Sequence, residues 1–355
     1  MTSSQTQYRC FPNCRCMRDD EELARGVERA YEMVFKGTVD FFVIKAASDL
    51  GLFEAMASGP QPVAALAEAT GTVPARLERL LITMEQVGLA RALEGAWRLT
   101  PFAEQFFTAQ DQHRNMTMVP FVSYMSDLIQ SYYANLADVT RGKLDFTSQV
   151  PHPPRTREDS AFYENIHRSN IHFVQKFLRD KARLEGVRHL IDVGGGIGDI
   201  AASLCDKYPD LRVTLLNLPS ALDLVRENMA ARGLSERVTA MAVDMYREAY
   251  PEGDAVLFAR ILYPMNRQFS TMLLKKAHDA LPRGGRVIIL DMIISDPARP
   301  NYDYLTHYLC SIGMNFSVLE FKDHAIYPEL LQEVGFGDVT CDEAYDHVLY
   351  QAVKQ

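Results

Sequence analysis

The chain has 355 residues and a formal charge of −9, from 37 Lys plus Arg against 46 Asp plus Glu. That balance argues against a nucleic-acid partner, because phosphate binding needs a basic face. No apolar run reaches the length of a membrane span and no signal-peptide pattern opens the chain, so no transmembrane segment and a cytoplasmic location are expected. The length suffices for two domains with cores of their own.

Residues 1–20 read as a disordered tail. Cys10, Cys14 and Cys16 fall in it as CFPNCRC. The spacing lacks the C-x-x-C pair of a zinc site and no fourth ligand lies nearby, so the cluster reads as part of a mobile extension and no protein-bound metal is expected. Cys205, Cys310 and Cys341 read as reduced core or near-core thiols.

Residues 21–157 form the first expected domain. Apolar residues at helical spacing run through 19–57. Helices over 63–70 and 74–87 follow, parted by Gly71, with Pro74 suited to a first turn. Strands 90–93 and 96–99 make a hairpin around Gly95. Helix-turn-helix plus wing is a winged-helix module. Arg76 and Arg79 on its second helix are balanced by Glu78 and Glu85. Dimerisation or substrate capping is therefore expected rather than DNA binding, and a ligand-responsive transcriptional regulator is the rival reading. Residues 116–136 read as a helix rich in Met, Tyr and Phe, and VPHPPRT at 150–156 as a linker.

Residues 158–355 form the second expected domain. A helix over 158–184 leads into strand 189–193, the glycine turn Gly194-Gly195-Gly196-Ile197-Gly198, helix 199–207 and strand 212–216, a βαβ unit suited to an adenine-containing cofactor. A dinucleotide fingerprint would place its last glycine where Asp199 stands. Further strands are expected at 238–243, 255–262 and 286–292, with helices at 222–232, 268–281 and 327–334, and a closing antiparallel pair at 339–343 and 347–353. The fold class is α/β: a doubly wound sheet with an antiparallel edge.

Asp192-Val193-Gly194-Gly195-Gly196-Ile197-Gly198 resembles the D-x-G-x-G-x-G turn of class I, Rossmann-like, S-adenosylmethionine-dependent methyltransferases. With Leu50-Gly51-Leu52-Phe53, Leu99-Thr100, Leu218-Pro219, Asp244-Met245 and Gly284-Gly285, the chain resembles the plant-caffeate and bacterial hydroxyneurosporene type over about residues 25–353. The segments VFKG, VPHPPRTRED, HRSN, LNLP, FARILY and DYLTHY are similar to a branch that methylates a carbon of a magnesium chlorin pigment. The resemblance implies S-adenosylmethionine as cofactor, S-adenosylhomocysteine as product, a homodimer, and a magnesium chlorin as substrate. An O-methyltransferase of a phenolic, polyketide or carotenoid hydroxyl is the alternative.

The resemblance also implies site residues. Asp192, Gly194, Gly196 and Gly198 face the methionine part and ribose. Asn217, where the family has an acid, takes the ribose hydroxyls with Leu218 beside it, and an amide does so without charge assistance. Asp244 and Met245 meet the adenine, with a cap as the bland role of Asp244. Arg260 faces the cofactor carboxylate or a substrate propionate. Tyr263 stands where the O-methyltransferases have their histidine base, and Met265 where they have a Trp. A phenol of pKa ~10 is a poor base at neutral pH, which favours a carbon acceptor that needs no prior deprotonation. Asp291 stands beside it to orient Tyr263 or a water. His307 is the expected axial ligand of the substrate magnesium. His167, Arg168 and Asn170 are weaker candidates on the same side.

Overall fold

The computed structural model describes residues 36–108, 118–144, 153–168, 171–292, 324–344 and 347–355. The chain folds as two compact units whose boundary in sequence falls at 123/124 rather than at the expected 157/158. The reason lies in residues 124–144, whose apolar side chains form a cluster of their own (Leu128, Tyr132 and Val139, with Tyr124 and Met125 against it).

In the first unit, helices α1 (Gly37–Asp49) and α2 (Leu52–Ala57) are separated by Gly51, whose φ of +66° breaks the single helical run expected there. α3 (Val63–Thr70) ends on Gly71 at φ +63°, and α4 (Pro74–Gln86) begins on its proline. Strands β1 (Ala90–Leu93) and β2 (Ala96–Leu99) pair antiparallel through the two-residue turn Glu94-Gly95. Both turn residues have positive φ, the I′ conformation that fits the twist of a hairpin. Gln61 adds a bridge to Trp97, and α5 (Pro101–Phe107) is capped by Thr100. Leu52, Phe53, Leu66, Leu81, Met84 and Leu99 close the core. Val39, Phe42, Val73 and Phe102 leave apolar surface exposed. The winged-helix expectation is met element by element.

α6 (Val119–Ser131) passes from the first unit into the second and is followed by α7 (Leu136–Thr140), so the helix expected over 116–136 ends five residues early. α8 (Arg157–His167) opens on a capping box between Thr156 and Asp159. α9 (Ile171–Lys181) is a separate helix, not one continuous element over 158–184.

The second unit holds a seven-stranded sheet built from β3 (His189–Val193), β4 (Arg212–Asn217), β5 (Val238–Ala242), β6 (Ala255–Ala259), β7 (Arg286–Met292), β8 (Phe336–Ala344) and β9 (His347–Lys354). Their order is β5-β4-β3-β6-β7-β9-β8. The first five are mutually parallel, and β9 is antiparallel to β7 and β8 to β9. Alternate residues of each strand enter opposite cores. Leu190, Leu257, Ile288 and Leu290 face α9, α10 (Asp199–Lys207) and α11 (Leu222–Ala231). Ile191, Val193, Phe258 and Ile289 face α12 (Arg267–Ala280) and α13 (Tyr327–Val334). Strand order reverses between β3 and β6, so the crevice for a ligand opens at the carboxyl ends of those strands. Cys205 is buried as expected, whereas Cys341 is exposed on the edge strand and Cys310 lies outside the described residues. Among the described residues no helix is long and apolar enough to cross a membrane.

Candidate active site

The glycine turn explains its own sequence. Gly194, Gly196 and Gly198 have φ of +67°, +58° and +88°, which L side chains rarely adopt. Gly195 is required for space instead: a Cβ there would lie 2.3 Å from Asp192 Oδ2 and 2.9 Å from Leu215 Cγ. The turn is held by Gly194 N–H on the Leu216 carbonyl (2.8 Å) and Gly196 N–H on the Gly194 carbonyl (2.7 Å). A Cβ on Gly194 would meet Ile261 Cδ1 at 2.6 Å, so the segment after β6 packs directly on the turn.

Asp192 is the next-to-last residue of β3, beneath this turn, with no exposed surface and neither carboxylate oxygen hydrogen-bonded among the described residues. Burial alone pushes its pKa up to about 7. It supports the turn from below instead of facing a ligand directly. Asn217 also serves the turn: its Nδ2 donates to the Gly196 carbonyl (2.9 Å) and its Oδ1 accepts the Leu218 N–H (2.8 Å). One acceptor position remains on that oxygen for a hydroxyl. Asp244 sits half-buried beyond β5 and accepts from the Tyr246 N–H at 2.9 Å, closing an Asx turn; no helix begins there, so it is not the helix cap of its bland reading. Met245 packs beside it against the core.

On the other side of the turn, α8 and the end of β6 bring together groups of opposite charge. Arg260 directly follows β6 with a φ of +60°, an uncommon conformation for a residue with a side chain. Its Nη2 donates to the His167 carbonyl at 3.3 Å. Burial lowers its pKa, against the pull of Tyr263, Glu164 and Asp291. Glu164 of α8 lies over Gly196. Its pKa is pushed up to about 7, by burial first and by Asp199 second, with Arg260, the Ile197 N–H and Arg168 opposing. Asp199 is a buried hub: it accepts from Arg168 Nε (2.7 Å), Arg232 Nη2 (2.8 Å) and Asn228 Nδ2 (3.0 Å).

Further along the carboxyl edge, Asp291 is fully buried on β7 and accepts a 2.5 Å hydrogen bond from Tyr327 Oη of α13. Burial and the neighbouring Asp291 push the Tyr327 phenol well above its usual range, and Tyr263 and Tyr350 add to this. Tyr263 is half-buried within the electrostatic reach of both Arg260 and Tyr327. His347, first residue of β9, lies opposite Met292 and is buried, and burial and Arg260 lower its pKa to about 4. An imidazole so disposed stays neutral and is a weak base. Met265 is buried and accepts from Tyr246 Oη at 3.3 Å.

The structure holds Gly194, Gly196 and Gly198 in one turn, with Asp192 beneath it and Asn217 hydrogen-bonded to it and followed by Leu218; Asp244 and Met245 follow β5, Arg260 follows β6, and Tyr263 and Asp291 lie within its electrostatic reach. His307 and Asn170 lie outside the described residues. Among the described residues, no group of three His, Cys, Asp or Glu side chains is placed to hold a metal. Glu164, Asp199, Tyr327 and His347 were not singled out from sequence. The first lies on an ordinary amphipathic helix, and only the fold shows which of its acids turns inward.

A strand–glycine turn–helix at the switch point, with ionisable groups on both sides of it, defines a nucleoside-cofactor enzyme of the methyltransferase class. Residues 146–337 match the family model of the O-methyltransferase domain, and residues 33–109 match that of the O-methyltransferase dimerisation domain. The chain belongs to this family of S-adenosylmethionine-dependent methyltransferases. It is 49% identical over 335 residues to the bacteriochlorophyllide d C-20 methyltransferase of Chlorobaculum tepidum, covering 94% of this chain and 99% of that one. The L-tyrosine C(3)-methyltransferase of Streptomyces lavendulae is 28% identical, with 86% and 85% covered. In fold, the chain matches human N-acetylserotonin methyltransferase in complex with S-adenosylmethionine, with a TM-score of 0.76 at 19% identity and with 96% and 99% covered.

Proposed function

We propose that this chain is a homodimeric C-methyltransferase that methylates the C-20 meso carbon of bacteriochlorophyllide d in bacteriochlorophyll c biosynthesis. The observation that carries the reading beyond the likeness to the Chlorobaculum tepidum enzyme is the identity of Tyr263. A phenol occupies the position of a histidine base, within reach of the Arg260 field and beside the Asp291–Tyr327 pair.

The residues fit the cofactor. Bare backbone at Gly194–Gly198 admits the methionine part, Asn217 keeps an acceptor for the ribose, Asp244 and Met245 flank the adenine position, and Arg260 offers a cation to the carboxylate. Bound there, the cofactor supplies an electrophilic methyl group. The work of the chain is then to present a carbon nucleophile and remove one proton. An electron-rich meso carbon needs no base before it attacks. It becomes acidic afterwards, so a weak acceptor suffices. Tyr263 relays that proton, with Asp291 held by Tyr327 as the final carboxylate. His307, as axial ligand of the substrate magnesium, fixes the macrocycle so that C-20 faces the methyl donor, and positioning of this kind supplies much of the rate of a group transfer. The match to a dimerisation domain and the exposed Val39, Phe42 and Phe102 on that unit support a homodimer.

Incubation of the purified protein with S-adenosylmethionine and either bacteriochlorophyllide d or a panel of phenols tests the reading. It expects a monomethylated pigment by mass and unchanged phenols; methylated phenols with unchanged pigment would overturn it in favour of the O-methyltransferase alternative.

A further inference from the structure

The amino-acid end of the cofactor carries both an ammonium and a carboxylate. Backbone N–H groups and Arg260 suit the carboxylate, but an ammonium needs an acceptor, best a charged one. Around the glycine turn the acids differ sharply in access. Asp192 has no exposed surface. Asp199 is engaged by Arg168, Arg232 and Asn228. Glu164 lies directly against the turn: a Cβ on Gly196 would be 2.7 Å from its Oε2 and 3.3 Å from its Oε1. The Ile197 N–H donates to it, fixing the carboxylate over the strip of bare backbone. Arg260 reaches the same helix from β6, through the His167 carbonyl three residues on. An anion thus lies over the glycine, with a cation within its electrostatic reach.

We propose that Glu164 receives the α-ammonium of the cofactor, so that Glu164 and Arg260 together form an opposed-charge receptor for its amino-acid end. The assignment rests on S-adenosylmethionine being the cofactor, and not on the identity of the methyl acceptor. It makes Glu164 a binding residue that the glycine motif does not announce.

Binding then depends on pH. Glu164 faces Asp199 from α10, Arg168 just past α8, Arg260 just past β6 and the Ile197 N–H of the turn, and burial pushes its pKa up to about 7. Asp192 beneath the turn titrates in the same range. An ammonium beside Glu164 demands the carboxylate, so below neutrality binding releases a proton, and affinity climbs as pH rises until Glu164 is ionised.

Calorimetry of S-adenosylhomocysteine and of 5′-methylthioadenosine, which keeps the nucleoside but lacks both charged groups, tests this. With wild-type protein, S-adenosylhomocysteine affinity should rise about tenfold between about pH 6 and about pH 8, while methylthioadenosine affinity stays nearly flat. Glu164→Gln should weaken S-adenosylhomocysteine about 10- to 100-fold, remove most of that pH dependence, and leave methylthioadenosine unchanged. The wild-type binding enthalpy at about pH 6 in buffers of different ionisation enthalpy gives an independent readout: proton release should accompany S-adenosylhomocysteine but not methylthioadenosine. Equal binding by Glu164→Gln, equal loss of both ligands, or no proton release would overturn the assignment. Failure of wild-type protein to bind either ligand would instead overturn the cofactor itself, and the assignment with it.

Discussion

Asp192→Asn should stabilise the protein above neutral pH and change little in acid. Asp192 is wholly buried, neither oxygen is hydrogen-bonded among the described residues, and burial alone raises its pKa to about 7. In the unfolded chain an Asp titrates near ~3.9. Between these values the folded state holds a proton that the unfolded state has lost, so folding takes up a proton and stability falls as pH rises. Below about pH 4 both states are protonated and no penalty exists; above about pH 7 the full penalty remains. Three pKa units at about 1.4 kcal/mol each give a ceiling of about 4 kcal/mol. Asparagine has nearly the same shape and cannot ionise. Urea unfolding of both proteins, followed at about pH 4.5 and at about pH 8, should show the variant gaining stability mainly at the higher pH, up to that ceiling. A variant no more stable than wild type at the higher pH, or equally stabilised at both, would refute the claim that this carboxylate is held against its charge.

Other residues make separable predictions. Tyr263→Phe should lower turnover while S-adenosylhomocysteine affinity, measured by calorimetry, stays within about twofold; unchanged turnover would remove Tyr263 from proton transfer. Tyr327→Phe takes the phenol donor from a buried carboxylate and should cost about 1.5–3 kcal/mol in a thermal or urea melt, with turnover falling alongside. Asp199→Asn leaves Arg168 and Arg232 without their shared carboxylate. Both guanidiniums reach solvent, so a loss of about 2 kcal/mol is expected, below the range for fully buried pairs. His307→Ala should weaken binding of the magnesium pigment more than of its metal-free analogue, read by absorbance titration; equal losses would exclude axial ligation.

The fold was legible because its signals are local. Three glycines at positive φ, an NG-like Glu94-Gly95 turn, Pro74 at a helix start and buried parallel strands each announce themselves within a few residues. The candidate site was legible only where chemistry and position coincide along the chain, as at the glycine turn. Glu164 and Tyr327 act from helices remote in sequence from the groups they meet, 32 residues from Gly196 and 36 from Asp291. No periodicity encodes such a meeting. Asn217 shows the converse: its strand-end position was read correctly, but its amide is largely taken up by Gly196 and Leu218, a backbone demand that composition does not reveal.

The most direct test of the central claim uses S-adenosylmethionine labelled with carbon-13 in the methyl group and bacteriochlorophyllide d as acceptor. The account predicts a product whose labelled methyl is bonded to carbon, with the C-20 meso proton signal lost in step with its appearance. A labelled methyl in the chemical-shift range of methyl ethers or esters, with the meso proton retained, would contradict it.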